Sequence, residues 1–92
     1  MRRAARRSGW VNRVVPDAEL QSAAFALARS MAQGPAIALR FMKDNLDEAL
    51  TLDFDAARNH EADRLIRGTM TDDHREAVQA FIEKRRPVFT GR

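Results

Sequence analysis

Ninety-two residues, 45% hydrophobic and 32% charged, bound a single small domain. A chain this short buries only about 60–65% of its unfolded surface, so a lone fold has little margin. The absence of cysteine excludes disulfides, thiolate zinc sites and thiol catalysis, and no apolar run approaches the ~18–20 residues that span a bilayer.

The net charge of +3 is unevenly placed. Residues 1–16 carry Arg2, Arg3, Arg6, Arg7 and Arg13 and no acid, whereas acids outnumber bases over residues 17–92. Basic character confined to one end does not make a general nucleic-acid surface.

In chain order, Arg2 to Arg7 read as the end of a helix with Gly9 at its C′ position. Trp10-Val11-Asn12-Arg13-Val14-Val15, closed by Pro16, reads as a short strand of β-branched and aromatic residues. A single strand cannot satisfy its own backbone groups, so this one demands a partner. Asp17 is placed to cap a helix whose apolar stripe is Leu20, Ala23, Ala24, Leu27, Ala28 and Met31. Gly34-Pro35 ends that helix and opens the next, which sets Ile37, Ala38, Phe41, Met42, Leu46, Ala49 and Leu50 on one broad face.

Thr51 to Arg67 is helical and more polar, with Phe54, Ala57, Ala62, Leu65 and Ile66 apolar. The pattern fits either a bent continuation of the second helix or a new helix near Thr51, and Gly68 is expected to break it. Thr71 caps the last helix, with Asp72 and Asp73 in the first turn, where acids suit the helix dipole. Ala77, Val78, Phe81 and Ile82 form its buried stripe, and Lys84, Arg85 and Arg86 are placed in its last turn before Pro87. The expected architecture is all-α, four amphipathic helices behind one short N-terminal strand. It divides into residues 1–16 (a helix end plus an orphan strand) and residues 17–92 (a helical domain).

Chemistry-bearing motifs are sparse. His60-Glu61-Ala62-Asp63-Arg64 has the start of an H-E-x-x-H zinc helix, but the fifth position is Arg64, so the second ligand on that face is missing and no metal site is expected. The acids fall on exposed faces or in first helical turns, with Asp17, Asp72 and Asp73 assigned to capping. No Ser-His-Asp set or Gly-rich phosphate loop is visible, so no catalytic residue is assigned. The N-terminal arginines have the composition of a targeting leader, yet they run without a spacer into an ordered-looking strand, which favours a solvated helix end. They lack the aromatic or Gly-rich pattern of a nucleic-acid arm. Phe81 followed by Lys84, Arg85 and Arg86 suits either a core aromatic with a solvated helix end or a nucleotide, the ring for the base and the cations for phosphate.

Taken together, four segments carry a resemblance. Gly9-Trp10-Val11-Asn12-Arg13-Val14-Val15-Pro16 resembles the GLVNRVVP strand of the crotonase (enoyl-CoA hydratase/isomerase) superfamily, with Trp10 for the commoner Leu. Asp17 to Leu20 then opens a helix, as in that family. Gly34-Pro35-Ala36-Ile37-Ala38-Leu39-Arg40 with Lys43 is similar to its GPxALRxxK segment. Thr71 to Ala77 and Ala80 to Phe89 are similar to its C-terminal signature T-x-D-x-x-E-G…AFxEKRxPxF, with Ala77 where the family has Gly.

The resemblance implies the C-terminal helical region of that fold, which mediates trimer formation and helps cover the site of a CoA thioester. The spiral core, which in the family supplies the oxyanion hole and the catalytic carboxylates, lies upstream of the GLVNRVVP strand. The expected function is therefore a truncated enoyl-CoA hydratase/isomerase segment that is inactive alone. The alternative is a stand-alone helical assembly module that binds itself or a complete crotonase. The resemblance also implies that Phe81 and Lys84 lie near the adenine and phosphate end of CoA, with Leu65 where some hydratases carry another aromatic. It implies no cofactor beyond the CoA ester as substrate. The expected partners are a second copy or a crotonase-family subunit, with no nucleic acid and no membrane, in the cytoplasm.

Overall fold

The computed structural model describes the backbone of residues 1–92 and every side chain except that of Arg2. Five α-helices follow one another: α1 (Arg2–Arg7), α2 (Leu20–Ala32), α3 (Ala36–Glu48), α4 (Phe54–Thr69) and α5 (Asp72–Ile82). They fall into two compact units, Met1–Met31 and Ala32–Arg92.

In the first unit, α1 ends as its sequence predicts. Gly9 adopts φ 78° at the C′ position. Its N–H donates to Arg6 O at 3.2 Å, and Trp10 N–H donates to Ala5 O at 3.0 Å. These are the two bonds of a Schellman closure, which satisfy carbonyls the helix would otherwise orphan. The strand expected over Trp10–Val15 does not form, and no strand is present among the described residues. The reason is the one that made it an orphan: extended backbone becomes a ladder only against a second segment. Asp17 does not cap α2 directly. It opens a 3₁₀ turn, Asp17–Glu19, whose own cap is Pro16, and α2 starts at Leu20.

The second unit is built on an antiparallel helical hairpin of α3 and α4. Residues 49–53 form a turn, with Ala49 N–H on Asn45 O and Leu52 N–H on Glu48 O. Asp53 then caps α4, its carboxylate accepting from Ala56 N–H at 2.8 Å. Thr51 to Arg67 is thus largely a new helix and not a bent continuation, because a side-chain acceptor three residues before Ala56 satisfies an orphan N–H of the new first turn.

Gly68 does not break α4, which runs through it to Thr69. One glycine near a helix end costs only about 1 kcal/mol, less than the turn of hydrogen bonds it sits in. Thr71 caps α5 as expected, its hydroxyl accepting from His74 N–H at 3.1 Å. The helix stops at Ile82, earlier than expected, so Lys84, Arg85 and Arg86 lie beyond its last turn.

Very little is buried. Ala80 is the one core hydrophobic among the described residues and Asp73 the one buried charge. Large apolar side chains on every long helix stay exposed, among them Phe25, Leu27, Met31, Leu46, Leu65 and Phe81. The stripe expected to be buried on α5 is split, with Ala77 half-buried and Val78, Phe81 and Ile82 exposed.

Candidate functional site

Two polar clusters give the second unit its shape. The first ties the loop end of the α3–α4 hairpin. Arg64 on α4 donates to both carboxylate oxygens of Glu48, at 2.5 and 2.9 Å, and to Asn45 Oδ1 at 2.8 Å. His60, one turn earlier, lies 2.7 Å from Glu48 Oε2 through Nδ1. The bonds from Arg64, then that from His60, hold the Glu48 carboxyl down at about 2. His60 therefore belongs to an ion-pair cluster. Further along the hairpin, the Arg67 guanidinium lies 5.4 Å over the Phe41 ring.

The second cluster holds the C-terminal segment against α5. Asp73 and Glu76 are three residues apart and so share a helix face. The Asp73 carboxylate accepts from Thr90 N–H at 2.7 Å and Gly91 N–H at 3.0 Å, while Asp73 N–H donates to Arg92 O at 2.9 Å. Glu76 accepts a two-pronged contact from Arg85, at 2.6 and 2.9 Å, and a further bond from Val88 N–H at 2.9 Å. The Arg85 bonds, then the Val88 bond, lower the Glu76 carboxyl to about 2. Arg86 adds a bond to Gln33 Oε1 at 2.9 Å.

The sequence assigned Asp73 to capping and left Glu76 among acids on an exposed face or in a first turn, and their role as anchors of residues 85–91 was missed. The available signal was their spacing: acids at positions two and five of a helix whose following segment is extended and rich in N–H donors.

Between α3, α4 and α5 lies an open groove of about 520 Å³. Its floor is apolar, with Ile37, Phe41, Met42, Leu65, Ala77 and Phe89, and Asn45, Arg64 and Asp73 stand among its lining residues.

The two residues singled out for nucleotide contact lie elsewhere. Phe81, in the last turn of α5, is 84% exposed, and neither it nor Lys84 lines the groove. Lys84 sits at the C′ position of α5 with φ 54°. Its N–H donates to Phe81 O at 3.2 Å and Arg85 N–H donates to Ala80 O at 3.0 Å, the same closure that Gly9 makes for α1. Leu65, which the resemblance sets at an adenine pocket, is exposed on the groove side. Phe81 and Lys84 are thus brought together at one helix end, without Leu65 as a further element of a closed pocket.

Among the described residues no group of three or more metal-ligating side chains converges, and no helix is long and apolar enough to cross a membrane.

A run of amphipathic helices with almost no core of its own is what one part of a larger fold leaves when taken by itself. The chain belongs to the enoyl-CoA hydratase/isomerase family, whose sequence profile matches residues 2–92. It is the C-terminal helical region of that fold.

The Mycobacterium tuberculosis protein named probable enoyl-CoA hydratase echA8 is 38% identical over 88 residues, which cover 96% of this chain and 34% of that protein. The Escherichia coli 1,2-epoxyphenylacetyl-CoA isomerase is 36% identical over 84 residues, 91% of this chain and 32% of the isomerase. The crystal structure of the Bacillus anthracis enoyl-CoA hydratase superposes with a TM-score of 0.86 at 31% identity, covering 98% of this chain and 35% of that one. The chain spans about a third of the length of the relatives it matches.

Proposed function

We propose that this chain is the oligomerisation and CoA-covering segment of a crotonase that hydrates or isomerises enoyl-CoA thioesters in the cytoplasm. The observation that carries this reading is the mismatch between sequence and burial. Helices with well-formed apolar faces leave Phe25, Leu27, Met31, Leu46 and Leu65 in solvent, and among the described residues only Ala80 closes into a core. Each such side chain stabilises an assembly by about 1.5–3 kcal/mol when covered. Large apolar side chains exposed on the helices of both units favour an interaction role.

In this reading the apolar faces pack against a crotonase core and neighbouring subunits. Phe81 and Lys84, held at the end of α5, meet the adenine and phosphate portions of the CoA ester. The thioester carbonyl gains oxyanion character as water adds or a proton shifts, and backbone donors of the core stabilise it. This chain's contribution is to exclude water and hold the nucleotide, so residues 1–92 alone turn over no crotonyl-CoA.

The test is a chimera in which this chain replaces the matching C-terminal third of the Bacillus anthracis hydratase. A soluble oligomer that hydrates crotonyl-CoA is the expected result. A chimera that remains monomeric and inactive, although folded, overturns the proposal. A second reading, a stand-alone assembly module binding itself or a complete crotonase, draws on the same exposed faces. It predicts a discrete self-assembled species of the 92-residue chain in light scattering and no activity in the chimera.

A further inference from the structure

Lys84 is the one non-glycine residue with positive φ among the described residues. Left-handed backbone is disfavoured for any side chain with a Cβ, and helices that close in this way use glycine, as α1 does at Gly9. A long β-unbranched cation at this position is therefore a local cost, and such costs persist where surrounding structure fixes them. Both flanks of Lys84 are fixed. On the helix side, Lys84 N–H and Arg85 N–H close onto Phe81 O and Ala80 O. On the tail side, Arg85 grips Glu76 with two bonds, Val88 N–H adds a third to the same carboxylate, and Arg86 reaches Gln33. Lys84 itself is exposed, and its ammonium makes no hydrogen bond or ion pair among the described residues.

A clamp of this quality around a strained residue whose own charge is unspent implies that the clamp serves the charge. The geometry points to Glu76 and Arg85 as positioning residues for Lys84, holding its ammonium in a fixed outward place for a phosphate group of a nucleotide ligand. This rests on the CoA-covering reading above and deepens it. Glu76 is not in contact with the ligand; it acts through Arg85 and the backbone that carries Lys84.

The sign of one substitution separates positioning from electrostatics. Removing an acid near a phosphate site strengthens anion binding if only long-range charge matters. If Glu76 positions Lys84, its loss weakens binding.

The experiment titrates adenosine 3′,5′-bisphosphate into the 92-residue chain, followed by NMR, with thermal unfolding measured in parallel. Lys84→Gly is expected to raise the Tm by a few degrees, since glycine relieves the left-handed backbone, while weakening the nucleotide about tenfold through loss of a charge-assisted contact. Glu76→Gln is expected to weaken the nucleotide about three- to tenfold with Lys84 still present. In the Lys84→Gly background, Glu76→Gln is expected to cause no further loss, because a residue acting through another is silent once that other is gone. The inference is overturned if Lys84→Gly binds like the parent, if it lowers the Tm, if Glu76→Gln strengthens binding, or if the parent chain binds no nucleotide. None of these outcomes touches the chimera's activity, so this inference and the assembly reading fail separately.

Discussion

Asp73 and Asp72 are neighbours in the same first helical turn, yet the structure gives them different duties. Asp73 is 3% exposed and its carboxylate accepts from Thr90 and Gly91 N–H, whereas Asp72 is exposed and pairs with Arg75 one turn along. Replacing Asp73 by Ala removes two charge-assisted bonds of about 1.5–3 kcal/mol each, a ceiling of about 3–6 kcal/mol. Residues 90–92 regain about 1 kcal/mol each of backbone freedom when released, and their N–H groups recover water. The local cost of opening the tail is then at most about 3 kcal/mol, which corresponds to hydrogen exchange up to roughly 100-fold faster at the Thr90 and Gly91 amides.

Asp73→Asn keeps one acceptor oxygen and falls between parent and Ala. Asp72→Ala leaves those amides within a factor of about two. Exchange measured by NMR at neutral pH decides the matter. Equal responses to Asp72→Ala and Asp73→Ala, or none to either, would show that the tail is not anchored through this carboxylate.

Two further outcomes follow from the same bonds and backbone. Glu48 and Glu76 are held at about 2, below their ordinary 4.5. A carboxyl whose folded value is depressed stabilises the fold fully above the unfolded value and loses that contribution as pH falls through the folded one. Helical content by circular dichroism is therefore expected to hold at pH 6 and decline between about pH 4.5 and 2; a flat profile across that window refutes the ion-pair assignments. Gly68 lies inside α4, with nothing within 4 Å of where a Cβ would stand. Gly68→Ala is expected to stabilise the chain by about 0.5–1 kcal/mol in urea unfolding, and a loss of stability would mean that the site is sterically closed.

The helix ends at Gly9, Pro35 and Thr71 were legible in the sequence because their signals are local. Pro35, Thr71 and the Gly9 closure act through bonds to residues three to five positions away. Phe81 and Lys84 could be picked out through a resemblance and a helix-end charge pattern. Three features were hidden for a common reason. The failure of Trp10–Val15 to pair, the burial of Asp73 and the Arg85–Glu76 grip depend on contacts beyond the local segment, which periodicity does not encode. The end of α5 misled for a different reason. A lysine at C′ carries no warning of a left-handed turn, where a glycine would have announced it.

The α3–α4 hairpin has a consequence for how the chain meets its surroundings. Its loop end is stapled by Glu48, Asn45, His60 and Arg64, while the apolar floor of the groove stays open. Under the proposed assembly role, such a piece meets a complementary surface already shaped, and little ordering entropy is left to spend at the moment of contact. Its capture is then expected to behave as rigid docking, with a rate set by collision and orientation and little affected by helix-favouring cosolvent.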